Sequence, residues 1–481
     1  MKNIKRTKIV ATIGPASESK KILQKMADKG MNVARLNFSH GYYAWHRKVI
    51  KNIRELGKKI DKPVGIMADL QGPRIRVDSS QEVRVRKGEV ISVVLNAKKK
   101  PKAVVKTGKY IMIHLPAVGK YLKKGSSILI EDGLIALKVI SKEGNLAVCR
   151  AVNSGIIKPH KGVNIPSISS RLGAMTKKDE RDLKFAISQG VDFIALSFVS
   201  SAKDITSLRR KIKKLLNSKS LIPQIIAKIE TKKAVENFDS ILEETDIVMV
   251  ARGDLGIEIP ETKVPVFQKE IAEKCLRTAK PVVVATQMLN SMIDNLRPTR
   301  AEVSDVSNAV IDHVDAVMLS GETANGKHPV ESVSVMSNII KETEKSPFDD
   351  LVHGFLGDKK ISISAAVADA SHEMAKNSDA KAIIAASLSG LTARMVARHR
   401  PDQKLIVMTN NIKTYQQLSI IWGVESYILS ECKNLDQLID KSIKEIKKRK
   451  ILKKGDKVII ITGRPHIKKE HVSLIKIEEI R

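Results

Sequence analysis

The feature that most constrains the fold is a series of short apolar runs rich in β-branched residues, most of them followed by a segment of helical periodicity. The eight runs lie at 8–14, 33–39, 64–70, 193–199, 224–230, 247–253, 281–287 and 316–322. Intervening segments such as VFQKEIAEKCLRTAK place apolar residues three and four positions apart. Continuous apolar strands that alternate with helices indicate a parallel sheet covered on both faces. Eight such units predict a (β/α)8 TIM barrel.

About 120 residues separate the third run from the fourth, which is too long for one strand-to-strand connection. Most of this interval has an antiparallel β pattern, with an Asp-Gly pair at 132–133 and a Gly-Asn pair at 144–145 that are typical of hairpin turns. We predict that residues 71–165 form a small all-β, β-barrel-like lid domain inserted after the third barrel strand. The TIM barrel then occupies residues 1–70 and 166–343.

From residue 344 onward, helices and strands alternate with a different rhythm. AAVADASHEMAK has helical spacing, AKAIIAAS is typical of a buried strand, and LTARMVARHR and KLIVMTN repeat the pair. The pattern predicts a separate, doubly wound α/β domain at 344–481. The predicted fold class is therefore α/β: a TIM barrel with an inserted β lid and a C-terminal α/β domain.

The chain carries 85 lysines and arginines against 52 acidic residues, a formal net charge of +33. A basic RNA-binding protein is therefore one alternative. However, aromatic residues make up only 3% of the chain, which leaves few side chains to stack on single-stranded bases. Two of the three basic clusters, at 209–214 and 444–454, alternate with Ile and Leu as solvent-exposed faces of amphipathic helices do. The third is KKKPK at 98–102. We predict no specific nucleic-acid partner.

The location of the protein is constrained by its apolar stretches and its cysteines. No uninterrupted apolar stretch reaches the roughly 18 residues of a membrane span. The basic start runs directly into the first apolar run, unlike a secretory signal. Cys149, Cys275 and Cys432 lie far apart and lack the spacing of a zinc site. We expect a cytoplasmic protein with reduced thiols and no membrane contact.

Polar and charged residues stand at the end of nearly every predicted barrel strand. In a TIM barrel these ends form one rim, which carries the active site. Burying an unpaired charge costs several kcal/mol, so stability alone would not gather so many charges there. The sequence therefore predicts one shared active site. Its candidate residues are Arg35, Asn37, Ser39, Asp69, Ser197, Lys228, Glu230, Arg252, Asp254, Thr286, Gln287, Ser320 and Glu322.

The residue types at this rim indicate a reaction class. Lys228 and Glu230 are two positions apart, so they share one face of their strand. Glu230 and Asp254 are hard oxygen ligands suited to Mg2+, whereas Lys228 and Arg35 supply positive charge for a phosphoryl group. The glycines of ARGDLG let backbone N–H groups approach an anion such as a carboxylate. The hydroxyls near the last two strands are too weakly acidic to be bases but can relay a proton through water. The pattern predicts metal-assisted chemistry on a small substrate with a phosphate and a carboxylate.

Six motifs closely resemble those of the pyruvate kinase family, and the resemblance covers the whole chain. They are ARLNFSHG, IIAKIE, VARGDLGIEIP, VVVATQMLNSMI, PTRAEVSDVSNAV and DAVMLSGETANGKHPV. The resemblance implies transfer of a phosphoryl group from phosphoenolpyruvate to ADP, giving pyruvate and ATP in the last step of glycolysis. It also implies Mg2+ as the cofactor, with Mn2+ as a substitute, and a homotetramer.

Site roles follow from the resemblance. Arg35 would bind the phosphoryl group, and Lys228 would bridge the phosphate and the enolate oxygen. Glu230 and Asp254 would hold Mg2+.

Further roles concern the other ligands. The substrate carboxylate would contact Gly253, Asp254 and Thr286, and a proton path to the enolate carbon would use Thr286 with Ser320 and Glu322. The nucleotide-binding positions would be Asn37, His40, Arg76 and Lys161, the last two at the lid's two junctions.

The segment ADLQGPRIRV departs from the commonest family pattern. Potassium-dependent members have a glutamate at the position of Arg74, within DTKGPEIR, whereas potassium-independent members resemble this chain in having Leu and Gln at 70 and 71, with lysine at 74. The monovalent-cation pocket of the family would comprise Asn37, Ser39, Asp69 and Leu70. We expect the fixed charge of Arg74 to replace K+, so that the enzyme needs Mg2+ but not K+.

The segment SLSGLTARMVARHRP resembles the effector-binding loop of the family's C-terminal domain, which is why we expect that domain to be regulatory. Ser387, Ser389, Gly390 and Thr392 would bind a phosphorylated allosteric effector. Leu388 stands where some fructose-bisphosphate-regulated members have a lysine, which argues against that effector. An ordinary strand–loop–helix junction is the alternative.

Another barrel enzyme that makes or breaks a C–C or C–P bond of phosphoenolpyruvate or an oxoacid is the alternative within enzymes. Such an enzyme would not need nucleotide contacts on a lid. Dependence of phosphoenolpyruvate consumption on ADP therefore separates the two, and a filter-binding assay tests the RNA-binding alternative.

Overall fold

A computed structural model describes residues 5–96, 108–114, 117–131, 133–169, 173–216, 222–349, 362–463 and 472–481. The strands in chain order are β1 (Lys8–Thr12), β2 (Val33–Asn37), β3 (Gly65–Asp69), β4 (Ile75–Arg76), β5 (Val83–Val85), β6 (Val90–Leu95), β7 (Tyr110–Ile113), β8 (Ser127–Ile130), β9 (Ile135–Glu143), β10 (Leu146–Ala151), β11 (Gly155–Ile157), β12 (Gly162–Asn164), β13 (Phe193–Leu196), β14 (Gln224–Ile229), β15 (Ile247–Ala251), β16 (Val282–Ala285), β17 (Ala316–Leu319), β18 (Ala382–Ala386), β19 (Lys404–Thr409), β20 (Val424–Ile428), β21 (Lys457–Gly463) and β22 (Val472–Glu479).

The α-helices are α1 (Lys20–Lys29), α2 (Tyr43–Ile60), α3 (Pro166–Ser169), α4 (Lys177–Ser188), α5 (Ala202–Leu215), α6 (Lys232–Glu236), α7 (Phe238–Glu244), α8 (Arg252–Glu258), α9 (Val264–Arg277), α10 (Arg300–Ile311), α11 (Gly321–Ala324), α12 (Pro329–Thr343), α13 (Ile363–Asn377), α14 (Leu391–Ala397), α15 (Ile412–Gln417) and α16 (Leu435–Lys448). Short 3-10 helices lie at Ala117–Tyr121, Glu261–Lys263, Asn290–Ile293, Pro347–Asp349 and Leu418–Ile420.

Eight parallel strands close into a barrel in the order β1-β17-β16-β15-β14-β13-β3-β2, as predicted. Alternate residues face outward and pack beneath the surrounding helices, and those between face the interior. The strands are shorter than the apolar runs: β14 ends at Ile229 and β16 at Ala285. The last polar residues of several runs therefore lie in the loops or helical turns that follow the strands.

Between β3 and α3 the chain forms the β lid. Seven strands follow the order β4-β12-β8-β9-β10-β6-β7, and a bridge between Val77 and Ile113 connects the two edges. The turn after β9 has Gly144 at a positive φ of 52°. Asp132 of the other predicted turn lies outside the described residues. The interval is not wholly antiparallel, because β6 and β7 pair in parallel.

The C-terminal sheet has the order β20-β19-β18-β21-β22. Four of its strands are parallel, and β22 pairs antiparallel with β21 at the edge. One face of the sheet packs with α13 and α14, and the other with α16. Strand β22 was not predicted, because Lys476 and Glu478 interrupt its apolar residues, as charged residues do on an exposed edge strand.

The C-terminal domain lies against the base of the barrel, where the strands begin. Interior barrel residues such as Phe193 belong to the same apolar cluster as Leu418 and Ile420 of the C-terminal domain. The contact is close, because a Cβ added to Gly65 at the start of β3 would lie 2.4 Å from Ser419 Oγ. The Lys413 ammonium also lies 3.2 Å from the buried Asp192 carboxylate next to β13. The base of the barrel is therefore closed by the C-terminal domain.

Three observations bear on the predicted location and partners. No helix in the described ranges is long and apolar enough to cross a membrane. Cys149, Cys275 and Cys432 are all unbridged thiols. The basic cluster at 209–214 lies on α5, which buries Ile205, Leu208 and Ile212, as predicted for an amphipathic helix. The cluster at 98–102 lies outside the described residues.

Candidate active site

Two charged side chains meet where β2 and β3 end. Arg35 donates from Nε to Asp69 Oδ2 at 2.7 Å, and its Nη2 lies 2.6 Å from the same oxygen. Arg35 Nη1 also donates to Thr12 Oγ1 at 2.9 Å. The parallel register, which pairs Asn37 with Asp69, brings these residues to one level of the barrel. The guanidinium is therefore held by fixed partners while part of it stays accessible.

Lys228 lies at the centre of the rim. Its Nζ donates to Ser197 Oγ at 2.7 Å and lies 3.4 Å from Asp69 Oδ1 and 3.3 Å from Glu230 Oε2. Burial alone would lower the pKa of the Lys228 ammonium, but the Asp69 and Glu230 carboxylates outweigh it, so the pKa lies above its ordinary value. The Lys228 side chain therefore remains a cation at neutral pH.

Glu230 has one oxygen occupied and one available. Its Oε1 accepts a hydrogen bond from the Phe198 N–H at 2.6 Å. Within the described part of the chain, Glu230 Oε2 and Asp69 Oδ1 are buried and accept no hydrogen bond. Burial raises the pKa of the Glu230 carboxyl to about 7, against the opposing effect of Lys228, and the charge of Asp254 adds to the increase.

These residues fit a divalent cation. A buried carboxylate oxygen without a hydrogen bond is costly unless a further positive group binds it. Asp254, in the first turn of α8, is close enough to raise the pKa of Glu230. No cluster of three or more acidic, His or Cys ligands occurs among the described residues. Mg2+ needs only one or two protein carboxylates, since water and phosphate complete its coordination.

The loop after β16 has an unusual backbone. Thr286 and Gln287 have positive φ angles of 71° and 55°, and such conformations cost about 1–3 kcal/mol each in non-glycine residues. The Gly253 N–H donates to Thr286 Oγ1 at 2.8 Å, and that hydroxyl donates to the Ala285 carbonyl at 2.6 Å. The Thr286 side chain is therefore held against the start of α8.

Arg252 fixes the same loop from the other side. Its Nη1 and Nη2 donate to the two oxygens of Asp305, each at 2.6 Å, and Nη2 also donates to the Thr286 carbonyl at 2.9 Å. Asp305 on α10 was not predicted. It does lie within the motif PTRAEVSDVSNAV at 298–310, which was the available signal.

Glu322 connects the loops after β16 and β17. Its Oε2 accepts from the Ser320 N–H at 2.7 Å, and its Oε1 accepts from the Leu289 N–H at 3.1 Å. Both oxygens of this buried carboxylate thus hold backbone groups. Ser320 Oγ, by contrast, is buried and has no hydrogen-bond partner in the ranges that the structure describes. The Ser320 hydroxyl is therefore available to a ligand or a water molecule.

The predicted nucleotide positions fall on two elements. Asn37 Oδ1 accepts from the Ser39 N–H at 3.0 Å, which shapes the loop leading to the exposed His40. On the lid, Arg76 donates to the His160 carbonyl at 3.0 Å, and Lys161 forms an ion pair with Glu131.

The lid arginines lie close to the β2 loop. Burial, together with the charges of Arg74 and Arg76, lowers the pKa of the His40 imidazole. Arg74 itself is exposed. Within the described chain it makes no hydrogen bond or ion pair with Asn37, Ser39 or Asp69, and Leu70 beside them is buried.

The predicted effector loop follows β18. Ser387 Oγ accepts from the Gly390 N–H at 2.9 Å, and Ser389 Oγ accepts from the Leu391 N–H at 3.3 Å. Gly390 has a positive φ of 81°, and Thr392 is buried in the first turn of α14. An ordinary strand–loop–helix junction would have the same bonds, so the effector site stays a prediction.

Known proteins match the chain along nearly its whole length. The family described as pyruvate kinase, barrel domain, matches residues 4–333, and that described as pyruvate kinase, alpha/beta domain, matches residues 365–478. The chain is 41% identical to a pyruvate kinase of Sporosarcina psychrophila over 99% of its own length and 81% of the relative's. It is 37% identical to a pyruvate kinase of Clostridium acetobutylicum over 99% and 100%. A crystal structure of a pyruvate kinase from Cryptosporidium parvum matches with a TM-score of 0.91 at 37% identity, covering 99% of this chain and 96% of that one.

Proposed function

Because the chain belongs to the pyruvate kinase family, we propose that it transfers the phosphoryl group of phosphoenolpyruvate to ADP, giving pyruvate and ATP. The observation that carries the proposal is the Lys228 ammonium, held by Ser197, Asp69 and Glu230 at the open end of the barrel. Phosphoryl transfer depends mainly on positioning and on stabilising charge, and this arrangement supplies both.

Arg35 and Lys228 bind the phosphoryl group in this proposal. Asp69 fixes the Nε–Nη2 edge of the Arg35 guanidinium, and Thr12 accepts from its Nη1. Lys228 contacts the bridging oxygen that becomes the enolate oxygen of pyruvate, where negative charge develops as the P–O bond breaks. A cation already oriented by Ser197 needs no reorganisation at that moment, which is the main source of electrostatic catalysis.

Glu230 and Asp254 would hold Mg2+, with Mn2+ as a substitute, because Glu230 Oε2 is a buried oxygen that accepts no hydrogen bond from the described residues. Bound there, the ion would neutralise phosphate charge. The substrate carboxylate is bound by Gly253, Asp254 and Thr286 at the first turn of α8, where backbone N–H groups face outward. There it would displace the bond that Gly253 makes with Thr286 Oγ1.

A proton must reach the terminal carbon of the enolate to give pyruvate. We assign its path to Thr286 and Ser320, through water, because Ser320 Oγ is buried without a partner in the described ranges. Glu322 orients Ser320 through its backbone N–H.

ADP would lie between the barrel and the lid, in contact with Asn37, His40, Arg76 and Lys161. Burial and the charges of Arg74 and Arg76 lower the pKa of His40, so these lid residues lie near the loop after β2, which supports this placement.

We infer that K+ is not required. Asp69, which would otherwise help to bind K+, already faces two cations, Arg35 and Lys228. Arg74 adds a fixed positive charge to this side of the site, and the inference rests on that charge rather than on an observed contact. A rate increase of about tenfold or more on adding K+ to a buffer free of Na+ and K+ would contradict it.

A phosphorylated effector at Ser387, Ser389, Gly390 and Thr392, a homotetramer and a cytoplasmic location complete the proposal. The test of the main activity is an assay that follows pyruvate formation through lactate dehydrogenase. We expect pyruvate only when phosphoenolpyruvate, ADP and Mg2+ are all present. Consumption of phosphoenolpyruvate without ADP would instead favour an enzyme that makes or breaks C–C or C–P bonds.

A further inference from the structure

One buried carboxylate contacts both chain segments that connect the lid to the barrel. The outgoing segment passes through Gly72, whose N–H donates to Asp179 Oδ1 at 3.1 Å. The returning segment ends at Thr176, whose N–H and hydroxyl donate to Asp179 Oδ2 at 2.8 and 2.6 Å. Asp179 is completely buried, with 0% of its surface exposed. Its two oxygens therefore join the outgoing and the returning segment, which we call the two crossings, to each other.

A helix cap accounts for only half of this arrangement. Thr176 and Asp179 form a capping box at the start of α4, as Ser201 and Asp204 do at the start of α5. The hydrogen bonds of Asp204 come from residues no more than four positions away. Asp179, in contrast, gives one oxygen to Gly72, which lies 107 positions earlier. Helix capping does not require the bond from Gly72. That bond therefore serves the connection between the lid and the barrel.

The outgoing crossing also packs against the loop after β13, at residues Ser197 and Phe198 of the active site. Gly72 has a positive φ of 69°, and a Cβ there would lie 2.7 Å from Phe198 Cδ2 and 3.1 Å from Ser197 Cβ. Phe198 donates its N–H to Glu230, and Ser197 accepts from Lys228. The crossing therefore packs on a loop that is itself held to the barrel by hydrogen bonds to Glu230 and Lys228.

We propose that Asp179 is a positioning residue that fixes the pivot of the lid: it holds the two crossings together at Gly72 and Thr176, against the Ser197–Phe198 loop. The inference rests on the proposed function. Arg76 and Lys161, the nucleotide-binding positions of the lid, lie just beyond this pivot. The position of the pivot sets the distance of Arg76 and Lys161 from the nucleotide-binding residues of the barrel. The phosphoenolpyruvate-binding residues lie on the barrel itself and do not depend on it.

Asp179→Asn tests the proposal, because it keeps the size of the side chain but leaves only one oxygen to accept. We expect the KM for ADP to rise at least about tenfold, since a misplacement of about 1 Å can cost far more. The KM for phosphoenolpyruvate should change less than about twofold. Hydrogen exchange of the Gly72 amide should become faster. Thr176→Ser keeps the hydroxyl that donates to Asp179 and should therefore keep wild-type values for all three measurements.

Asn434→Ala is the matched control for loss of a helix cap. Asn434 Oδ1 accepts from the Gln437 N–H at 2.9 Å at the start of α16, in the C-terminal domain. We expect this variant to lower Tm without changing the ratio of the two KM values. A merely structural role for Asp179 predicts the same behaviour for Asp179→Asn, and that result would overturn the proposal.

Hydrogen exchange of the wild type tests the pivot without any variant, and so covers the case in which Asp179→Asn does not fold. The Gly72 amide should exchange as slowly as amides of β3, with and without ADP and Mg2+. Exchange as fast as in exposed lid loops would disprove the pivot. A wild type with slow exchange but no transfer from phosphoenolpyruvate to ADP would refute the proposed function and leave the pivot standing.

Discussion

Replacing Ser197 by alanine would isolate the hydrogen bond that orients Lys228. The Ser197 hydroxyl has one proton, which it donates to the Leu70 carbonyl at 2.8 Å. It therefore accepts from Lys228 Nζ, at 2.7 Å. The other partners of Lys228, Asp69 and Glu230, lie at 3.4 and 3.3 Å, longer than good charged hydrogen bonds. Without Ser197, the ammonium would be held by these two carboxylates alone.

The expected size of the effect follows from the charge of the donor. A hydrogen bond to a charged group contributes about 1.5–3 kcal/mol. If the whole contribution is made in the transition state, kcat falls by about 10- to 150-fold, since about 1.4 kcal/mol corresponds to a factor of ten. The Leu70 carbonyl also loses its buried donor, so the free energy of unfolding should fall by about 1–3 kcal/mol.

Steady-state kinetics with the lactate-dehydrogenase-coupled assay and urea unfolding measure the two effects separately. Ser200→Ala is the control, because Ser200 lies in the same loop and donates to Asp204 at 3.1 Å without contacting Lys228. We expect it to lower stability while leaving kcat within about twofold. If Ser197→Ala also keeps kcat within about twofold of the wild type, Ser197 does not position Lys228 and the reasoning fails.

Three further predictions test separate parts of the molecule. Lys228→Met should reduce kcat by at least about 100-fold with an unchanged circular dichroism spectrum, and full activity would overturn the role of Lys228. Asp305→Asn should lower kcat/KM for phosphoenolpyruvate about tenfold, because Arg252 loses a bidentate partner. Asp312→Asn, at the end of the same helix, should leave this kcat/KM unchanged. If steady-state kinetics show equal losses of kcat/KM in the two variants, the role of Asp305 is contradicted. Burial lowers the pKa of Lys8 from 10.5 to about 8, so the unfolded state binds more protons between these values and stability rises with pH there. Across that pH range, the free energy of unfolding measured in urea should rise by roughly 3 kcal/mol more for the wild type than for Lys8→Met. An equal dependence on pH in the two proteins would refute this.

The barrel could be predicted from the sequence because its strands are buried on both faces and therefore appear as continuous apolar runs. The rule that active sites lie at the carboxyl ends of barrel strands then selected the polar rim. The two-residue period of a strand was enough to predict that Lys228 and Glu230 lie on the same side, and their charged groups lie 3.3 Å apart.

The connections between rim residues could not be predicted in the same way. Asp305 contacts Arg252 from a helix about 50 residues later in the chain, and Asp179 contacts Gly72 across the entire lid. No periodicity relates such pairs, since each depends on how a helix packs beside a loop. The positive φ of Phe198 is equally hidden, because a bulky residue rarely adopts it. Edge strand β22 was missed for a simpler reason: its charged residues conceal the strand pattern.

The closed base of the barrel makes β3 and β13 into short rigid links between two distant parts of the protein. Their first residues, Gly65 and Phe193, touch the C-terminal domain, and Asp69 and Ser197 stand at or just after their last ones. Five residues of extended chain span only about 17 Å, and hydrogen-bonded strands compress very little. The Asp69 and Ser197 groups that hold Lys228 therefore lie only about 17 Å, the length of one strand, from the surface of the C-terminal domain.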